Sequence, residues 1–288
     1  MAVTDMQAND TDRLRALLTT PFHLKLLDAA LANLHDTANV LHATNFSNAF
    51  RELTRNVLDG LAPEKEIGAC PWFVPDKTSK TGFTRRHRAH YVIHGGLAPA
   101  FASNMLGIDV NSEAKAMVKA IEKLNKYVHV NEDTLEVDPS EVSSISSDAI
   151  AALADVLECA QDCRETLRHM LEGRVHTALL QEAVRETIDD IDIVATHHTI
   201  EGVSVEDVQL VSVSGTVVTL AVTGTVDVEL QWGSSSDLRR GDGAVMDESF
   251  PLACEFTSSV ETPDAFELTP GSLQVDNSSW FGMGDDER

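Results

Sequence analysis

Hydrophobic residues in the first two thirds of the chain recur at the spacing of α-helices. In residues 45–63 they fall every three or four positions, which places them on one helix face. Gly60 and Pro63 are expected to end this helix. Its predicted buried face consists of Phe46, Ala49, Phe50, Leu53, Val57 and Leu61. Residues 112–130 repeat the pattern with Val118, Ile121, Leu124 and Val128.

A long loop and a later helix complete the predicted helical part. Pro71, Pro75 and Gly82 predict a loop at about residues 63–84, and long loops inside compact domains are often functional. Ser147 is expected to cap a helix, because serine favours the N-cap position. Gly173 is expected to separate that helix from the next one.

After about residue 200 the hydrophobic period changes from 3.6 to 2. Residues 217–232 alternate apolar with polar side chains, which predicts a strand pair that turns near Gly224 and has one buried and one solvated face. We therefore predict an α+β protein of two domains. A helical bundle occupies residues 1–188, and an antiparallel β-domain, a small sandwich or an open barrel of five or six strands, occupies residues 189–288 and ends in a short disordered tail.

The amino-acid composition gives the chain an unusually negative net charge. The 288 residues include 46 acidic and 22 basic side chains, a formal net charge of −24. Such acidity keeps a protein soluble and repels nucleic acid in general. It fits either the salt-rich cytoplasm of a halophile or an acidic protein with a basic partner. The chain contains neither a membrane-spanning run nor a signal-peptide pattern, and its four cysteines are scattered, so we expect a cytoplasmic protein.

The charge is divided unevenly. Residues 187–288 hold 20 acidic but only three basic side chains, whereas residues 77–130 hold nine lysines and arginines against three acids. This basic island is predicted to bind nucleic acid or an acidic protein, or to be neutralised by the acidic β-domain. Its candidate phosphate-binding residues are Arg86, Arg88, Lys115, Lys119, Lys123 and Lys126, and the four lysines form one stripe on a helix.

The segment "TRRHRAHYVIHGG" at residues 84–96 carries the first catalytic hypothesis. Arg85 and His90 have four residues between them, the Arg-x4-6-His spacing of metal-free ribonucleases of the HEPN class. A histidine can move the proton of the RNA 2′-hydroxyl, and an arginine can stabilise charge on the phosphate. His129 is the second candidate, but no arginine precedes it at the required distance. Alternatively, the cluster only docks anions or supports the fold.

The β-domain carries the second hypothesis. Asp227 and Glu229 are two positions apart on a predicted strand, so their side chains share one face. The metal-binding acids of restriction-type nucleases have this arrangement, and Mg²⁺ is the possible cofactor. In those nucleases a lysine follows two positions later, where this chain has Gln231. The alternative is an exposed polar strand face. The loop that follows is expected to carry four acidic residues that could bind a cation: Asp237, Asp242, Asp247 and Glu248. Their spacing matches no calcium-binding loop.

Several long segments resemble a prokaryotic family, the predicted pPIWI-associating nucleases. They include "NFSNAFRELTRNVLDGLAPEKEIGACPWF", "TRRHRAHYVIHGGL", "KYVHVNEDTLEV" and "GTVDVELQWGSSSDLRRGDGAVMDESFPL". The resemblance covers roughly residues 20–280 and implies a nuclease of a defence or mobile-element system. The helical half also resembles HEPN bundles, which often pair, so a homodimer is expected by analogy. The alternative is a non-catalytic binding module.

Overall fold

The computed structural model describes residues 3–135, 137–185 and 189–282. The chain divides into two compact units, Met1–Arg164 and Glu165–Arg288. The boundary falls inside the longest helix. No helix in the described part of the chain has the length and apolar content that crossing a bilayer requires.

The N-terminal part is helical, as predicted. Its helices are α1 (Val3–Leu17), α2 (Pro21–His35), α3 (His42–Leu61), α4 (Glu64–Ala69), α5 (Arg85–His94), α6 (Pro99–Met105), α7 (Val110–Asn125), α8 (Glu132–Leu135), α9 (Pro139–Arg185) and α10 (Asp189–Asp192).

Helix α3 lies at the centre of the first unit and contacts α2, α5 and α7. Its apolar face is the predicted one except at its C-terminal end, where Leu61 is 50% exposed rather than buried. Phe46 and Phe50 are buried with their ring centroids 5.5 Å apart, and Leu53 and Val57 extend the buried row. The helix ends at Leu61, next to the predicted stop. Helix α7 stops at Asn125, earlier than expected.

Two predictions about α9 are wrong. The helix begins at Pro139 rather than near Ser147, and Gly173 does not interrupt it. Proline suits the first helical position because it has no N–H to leave unpaired there. Past Gly173 the helix continues because a buried row at four-residue spacing runs through this region, consisting of Leu167, Leu171, Val175 and Leu179.

The second unit contains one antiparallel sheet. Its strands are β1 (His197–Val213), β2 (Val217–Trp232), β3 (Ala244–Ser259), β4 (Glu267–Leu268) and β5 (Gln274–Val275), in the order β1-β2-β3-β4 with β5 also paired to β3. A short helix, α11 (Ser235–Arg240), connects β2 to β3. The α+β class is therefore confirmed.

The sheet is not closed into a barrel, and the residues described contain no second sheet. The second half of α9 belongs to the same compact unit. Its Arg174 pairs with Asp264, which lies beyond β3. The buried row of α9 and the sheet are thus parts of one compact unit.

Residues 217–232 form one continuous strand, so the predicted turn at Gly224 is wrong. Gly224 lies opposite Val205 of β1 and Leu252 of β3. A Cβ atom at this position would lie 2.0 Å from the backbone oxygen of Ser204. The glycine is therefore required by the close approach of a neighbouring strand at a β-bulge rather than by a turn.

Replacing Gly224 with alanine is expected to lower the free energy of unfolding by about 2 kcal/mol, because the strands must separate to admit the methyl group. Gly173→Ala is the matched control. Its Cβ meets nothing within 4 Å, so it should raise stability by up to about 1 kcal/mol. Urea unfolding of both variants checks this, and equal effects at the two sites would contradict it.

Candidate active site

A cleft of about 880 Å³ opens in the helical unit. Its walls come from α3, the loop between α4 and α5, the first turns of α5, and α7. The volume is within the range typical of ligand sites. Five arginines line it, in a protein whose net charge is −24: Arg51, Arg55, Arg85, Arg86 and Arg88.

The loop that forms one wall is shorter than predicted and is internally hydrogen-bonded. Helix α4 occupies part of the predicted loop. The Asp76 carboxylate accepts hydrogen bonds from the backbone N–H and the hydroxyl of Thr78, at 2.8 and 2.7 Å. The Ser79 hydroxyl donates to the Phe83 carbonyl at 2.7 Å. A positive φ of 80° at Gly82 closes the turn.

Helix α5 begins at the cleft. The Thr84 hydroxyl accepts from the backbone N–H of His87, and His87 Nδ1 accepts from the backbone N–H of Thr84, both at 3.3 Å. Burial lowers the pKa of His87, which suits a neutral ring that accepts this bond. The positive end of the helix dipole and the side chains of Arg85 and Arg86 therefore meet at the same wall.

His90 lies one helical turn after Arg86 and is buried, with 9% of its surface exposed. Its Nε2 atom has no hydrogen-bond partner among the described residues. Burial, assisted by the nearby charge of Arg86, lowers the pKa of His90 to about 4. The imidazole is therefore neutral at physiological pH, and a neutral imidazole has one nitrogen able to accept a proton.

Trp72 and His94 are the aromatic neighbours of His90. The ring centroid of Trp72 is 6.0 Å from that of His90 and 5.2 Å from that of His94. Burial lowers the pKa of His94 to about 3. Its ring nitrogens lie near the backbone of residues 94 and 97 but make no hydrogen bond of good geometry within the described part of the chain. His94 is thus a buried polar side chain, and such groups lower stability.

Acid is expected to destabilise this unit. The pKa values of His90 and His94 lie below the 6.5 of a free imidazole, so the unfolded chain binds more protons between pH 6.5 and about 4. Stability should fall across that window by up to about 1.4 kcal/mol per pH unit for His94, and by less for the more accessible His90. His94→Leu should make this slope shallower in urea unfolding at pH 7 and pH 5. Parallel pH dependences would contradict the assignment.

The arginines of α5 differ in their freedom. Arg88 is held by Asp59 at 3.2 Å, Glu64 at 2.9 Å and the Ala62 carbonyl at 2.8 Å. These contacts tie α5 to α3 and α4. Arg86 donates only to Asn111, at 3.0 Å, and the exposed Arg85 makes no hydrogen bond or ion pair with the residues described. Arg85 and Arg86 are therefore the freer cations of α5.

Two further arginines come from α3 and were missed by the sequence analysis. Arg51 and Arg55 both line the cleft, and the buried Nε atom of Arg51 has no partner among the described residues. Arg55 is paired with Glu52 at 2.6 Å. Their spacing could have drawn attention to them. Two like charges four residues apart lower the stability of a helix slightly, so such a pair can indicate a functional role.

The other predicted cations lie outside the cleft. His129 is exposed in the segment that follows α7 and does not line it. Lys123 pairs with Asp148 at 2.5 Å, and Lys126 pairs with Glu141 at 3.2 Å. Acidic residues of α9 thus partly neutralise the lysine stripe within the same unit. Lys115 and Lys119 remain exposed.

The sheet carries a separate group of carboxylates. Glu229 of β2 lies opposite Asp247 of β3, and one ligand atom each of Glu201, Glu229 and Asp247 lies within 4.8 Å of the others. Carboxylate oxygens at such distances suit Mg²⁺ or Ca²⁺. Asp227 lies beside this group and accepts a hydrogen bond from the Ser249 hydroxyl at 2.5 Å.

The sequence therefore predicted one member of this group, Glu229, together with its neighbour Asp227. Asp247 and Glu248 belong to β3 rather than to a loop, which corrects the prediction. Glu201 sits at a register shift between Ile200 and Gly202 of β1. Such a shift reverses which face a side chain occupies, so alternation alone could not place Glu201.

Family comparisons match both halves of the chain. Two family models, each described as a predicted pPIWI-associating nuclease, match residues 15–153 and 160–281. The chain belongs to the predicted pPIWI-associating nucleases. No curated protein and no solved structure matches it. In this family member the first match spans the arginine-lined cleft, and the second spans the carboxylates of the sheet.

Proposed function

We propose that this protein is a ribonuclease that cuts RNA without a metal ion in the arginine-lined cleft. The observation that carries the proposal is the buried, neutral imidazole of His90, which lies near Arg86. Its Nε2 atom lacks a hydrogen-bond partner among the described residues. A buried polar atom without a hydrogen bond costs stability. His90 lines the arginine-lined cleft, and a small opening beside Arg86 would let a substrate hydroxyl become the missing partner of the buried Nε2 atom.

The proposed reaction uses the RNA's own 2′-hydroxyl. His90 accepts its proton, the 2′-oxygen forms a bond to phosphorus, and the bond from phosphorus to the 5′-oxygen breaks. The departing 5′-oxygen takes a proton from solvent. The products are a 2′,3′-cyclic phosphate and a 5′-hydroxyl. His90 then returns its proton to solvent.

The arginines stabilise the charge that grows on the phosphate. Arg51, Arg85 and Arg86 approach the cleft from two helices, and the N-terminus of α5 adds the positive end of its dipole. Guanidinium groups also bind phosphate oxygens in pairs. The sequence analysis predicted that Arg85 acts together with His90. The cleft adds Arg51 and Arg86 to this pair, and Arg86 lies one helical turn before His90 on α5.

The second candidate is a metal-dependent nuclease at the sheet carboxylates. The observation that favours it is the convergence of Glu201, Glu229 and Asp247. These residues would hold a divalent cation, which supplies an activated water. However, residues 187–288 carry 20 acids and three arginines, and no lysine follows Lys126. A polyanionic substrate is therefore less favoured here than at the helical cleft.

The setting of the activity is also part of the proposal. The family description names an association with pPIWI proteins, and we place the nuclease in a prokaryotic defence or mobile-element system in the cytoplasm. By analogy with HEPN bundles, the helical unit is expected to form a homodimer. If the cleft only binds, the protein is instead a module that docks nucleic acid or an acidic protein.

A cleavage assay separates these candidates. End-labelled single-stranded RNA and DNA of the same sequence are incubated with the protein in EDTA or in Mg²⁺, with Glu229→Gln in parallel. The proposal predicts cleavage of RNA alone, in EDTA, by both proteins. Cutting that requires Mg²⁺ and is lost in Glu229→Gln would move the site to the sheet. Binding without cutting in every condition would leave the docking module.

A further inference from the structure

One wall of the cleft is aromatic rather than cationic. Trp72 and Phe83 line it, together with Val74, whose surface is 74% exposed. All three belong to the loop that precedes α5. Nothing in the phosphate chemistry described above uses these side chains. Trp72 and Phe83 are partly exposed, and aromatic side chains beside several arginines are typical of sites that bind both the bases and the phosphates of a nucleic acid.

The two aromatic rings are held in fixed positions. The indole Nε1 of Trp72 donates to the Gly95 carbonyl at 2.9 Å. The ring of Phe83 stacks on Phe73 with centroids 4.8 Å apart and an angle of 9° between the planes, and His87 meets Phe73 edge-on at 5.1 Å. Side chains that are ordered in advance lose little entropy when a ligand binds.

The aromatic wall also lies close to the catalytic group. Trp72 is 6.0 Å from His90, measured between ring centroids. Phe83 immediately precedes Thr84, which caps the helix that carries Arg85 and Arg86. A nucleotide whose phosphate contacts these arginines therefore has aromatic side chains on the adjoining wall.

We propose that Trp72 and Phe83 form a subsite for an unpaired nucleobase, which makes the cleft selective for single-stranded nucleic acid. This inference rests on the proposed function, since it requires the phosphate to occupy the arginine side of the same cleft. A base inside a duplex has its faces covered by neighbouring bases and its edge paired, so it cannot stack on a protein ring without being extruded.

Two DNA hexamers with identical phosphates provide the test. One is oligo(dT), and the other carries abasic tetrahydrofuran sugars at every position. Because DNA has no 2′-hydroxyl, the proposed reaction cannot cut it, and binding is measured apart from cleavage. Fluorescence anisotropy of the wild-type protein should give a Kd at least about fivefold lower for oligo(dT) than for the abasic strand, because a base stacked on an aromatic ring contributes that much or more.

Variants assign the preference to the subsite. Trp72→Leu should bring the two Kd values within a factor of two, while Trp72→Phe should retain most of the preference because it keeps an aromatic face. Phe83→Leu provides a second test if Trp72→Leu does not fold. Equal affinities of the wild-type protein for the two strands would overturn the subsite.

The outcomes also separate this inference from the proposed function. Equal binding of both strands, together with RNA cleavage in EDTA, would remove the subsite and leave the cleft as the site of catalysis. Failure of both strands to bind, with RNA cleavage in EDTA retained, would likewise remove the subsite and leave the proposed function standing. Failure to bind them together with no cleavage of RNA would overturn the phosphate site and the proposed function with it.

Discussion

His90→Ala is expected to slow RNA cleavage by about 100-fold to 10,000-fold, the usual contribution of a positioned general base. The variant removes the imidazole nitrogen that accepts the 2′-hydroxyl proton, but leaves all five cleft arginines in place. The Kd for RNA should therefore change little. Single-turnover cleavage in EDTA measures the rate, and anisotropy measures the affinity.

His129→Ala is the matched control, because it removes the same side chain from an exposed position outside the cleft. Its cleavage rate should equal that of the wild type. The opposite pattern, with activity lost in His129→Ala and kept in His90→Ala, would contradict the assignment.

The cleavage rate of the folded wild-type protein should also be nearly constant from pH 5.5 to pH 8, since the pKa of His90 is about 4.

Arg86→Ala should lower kcat/KM by about 100-fold to 1,000-fold, as expected when a fixed cation that stabilises the transition state is removed. Arg86 donates only one hydrogen bond within the described structure, to Asn111, so its other donors are free for a phosphate. Its charge also lowers the pKa of His90. The acid limb of the pH–rate profile should therefore move to higher pH in this variant.

Lys115→Ala is the control for charge alone. It removes one positive charge from the same unit, at an exposed position that does not line the cleft. Its kcat/KM should remain within a few-fold of the wild-type value. If both variants reduce cleavage equally, the effect of Arg86 comes from the general field of the basic island, and no phosphate site at α5 is needed.

Periodicity predicted the elements whose burial is regular. The apolar face of α3 follows a 3.6-residue period because one face packs on neighbouring helices, and β2 follows a period of two because only one face is buried. The class of the fold could therefore be predicted. The local density of charge also pointed to residues 84–96, where α5 begins at the cleft.

Long-range packing decided the features that the sequence analysis missed. Gly173 resembles a helix stop, but the buried row of α9 continues past it. Gly224 resembles a turn, but the nearby Ser204 carbonyl explains it. Arg51 lies more than 30 positions before α5, and only the packing of α3 brings it to the cleft. Such contacts between distant segments leave no periodic signal.

The chemical nature of the product ends tests the central claim most directly. RNA cut by the wild-type protein in EDTA would be analysed by mass spectrometry. Attack by the 2′-hydroxyl, with His90 as the base, predicts fragments that end in a 2′,3′-cyclic phosphate and fragments that begin with a 5′-hydroxyl. Fragments with a 3′-hydroxyl and a 5′-phosphate would show that water attacked the phosphate, and would contradict the proposed role of the arginine-lined cleft.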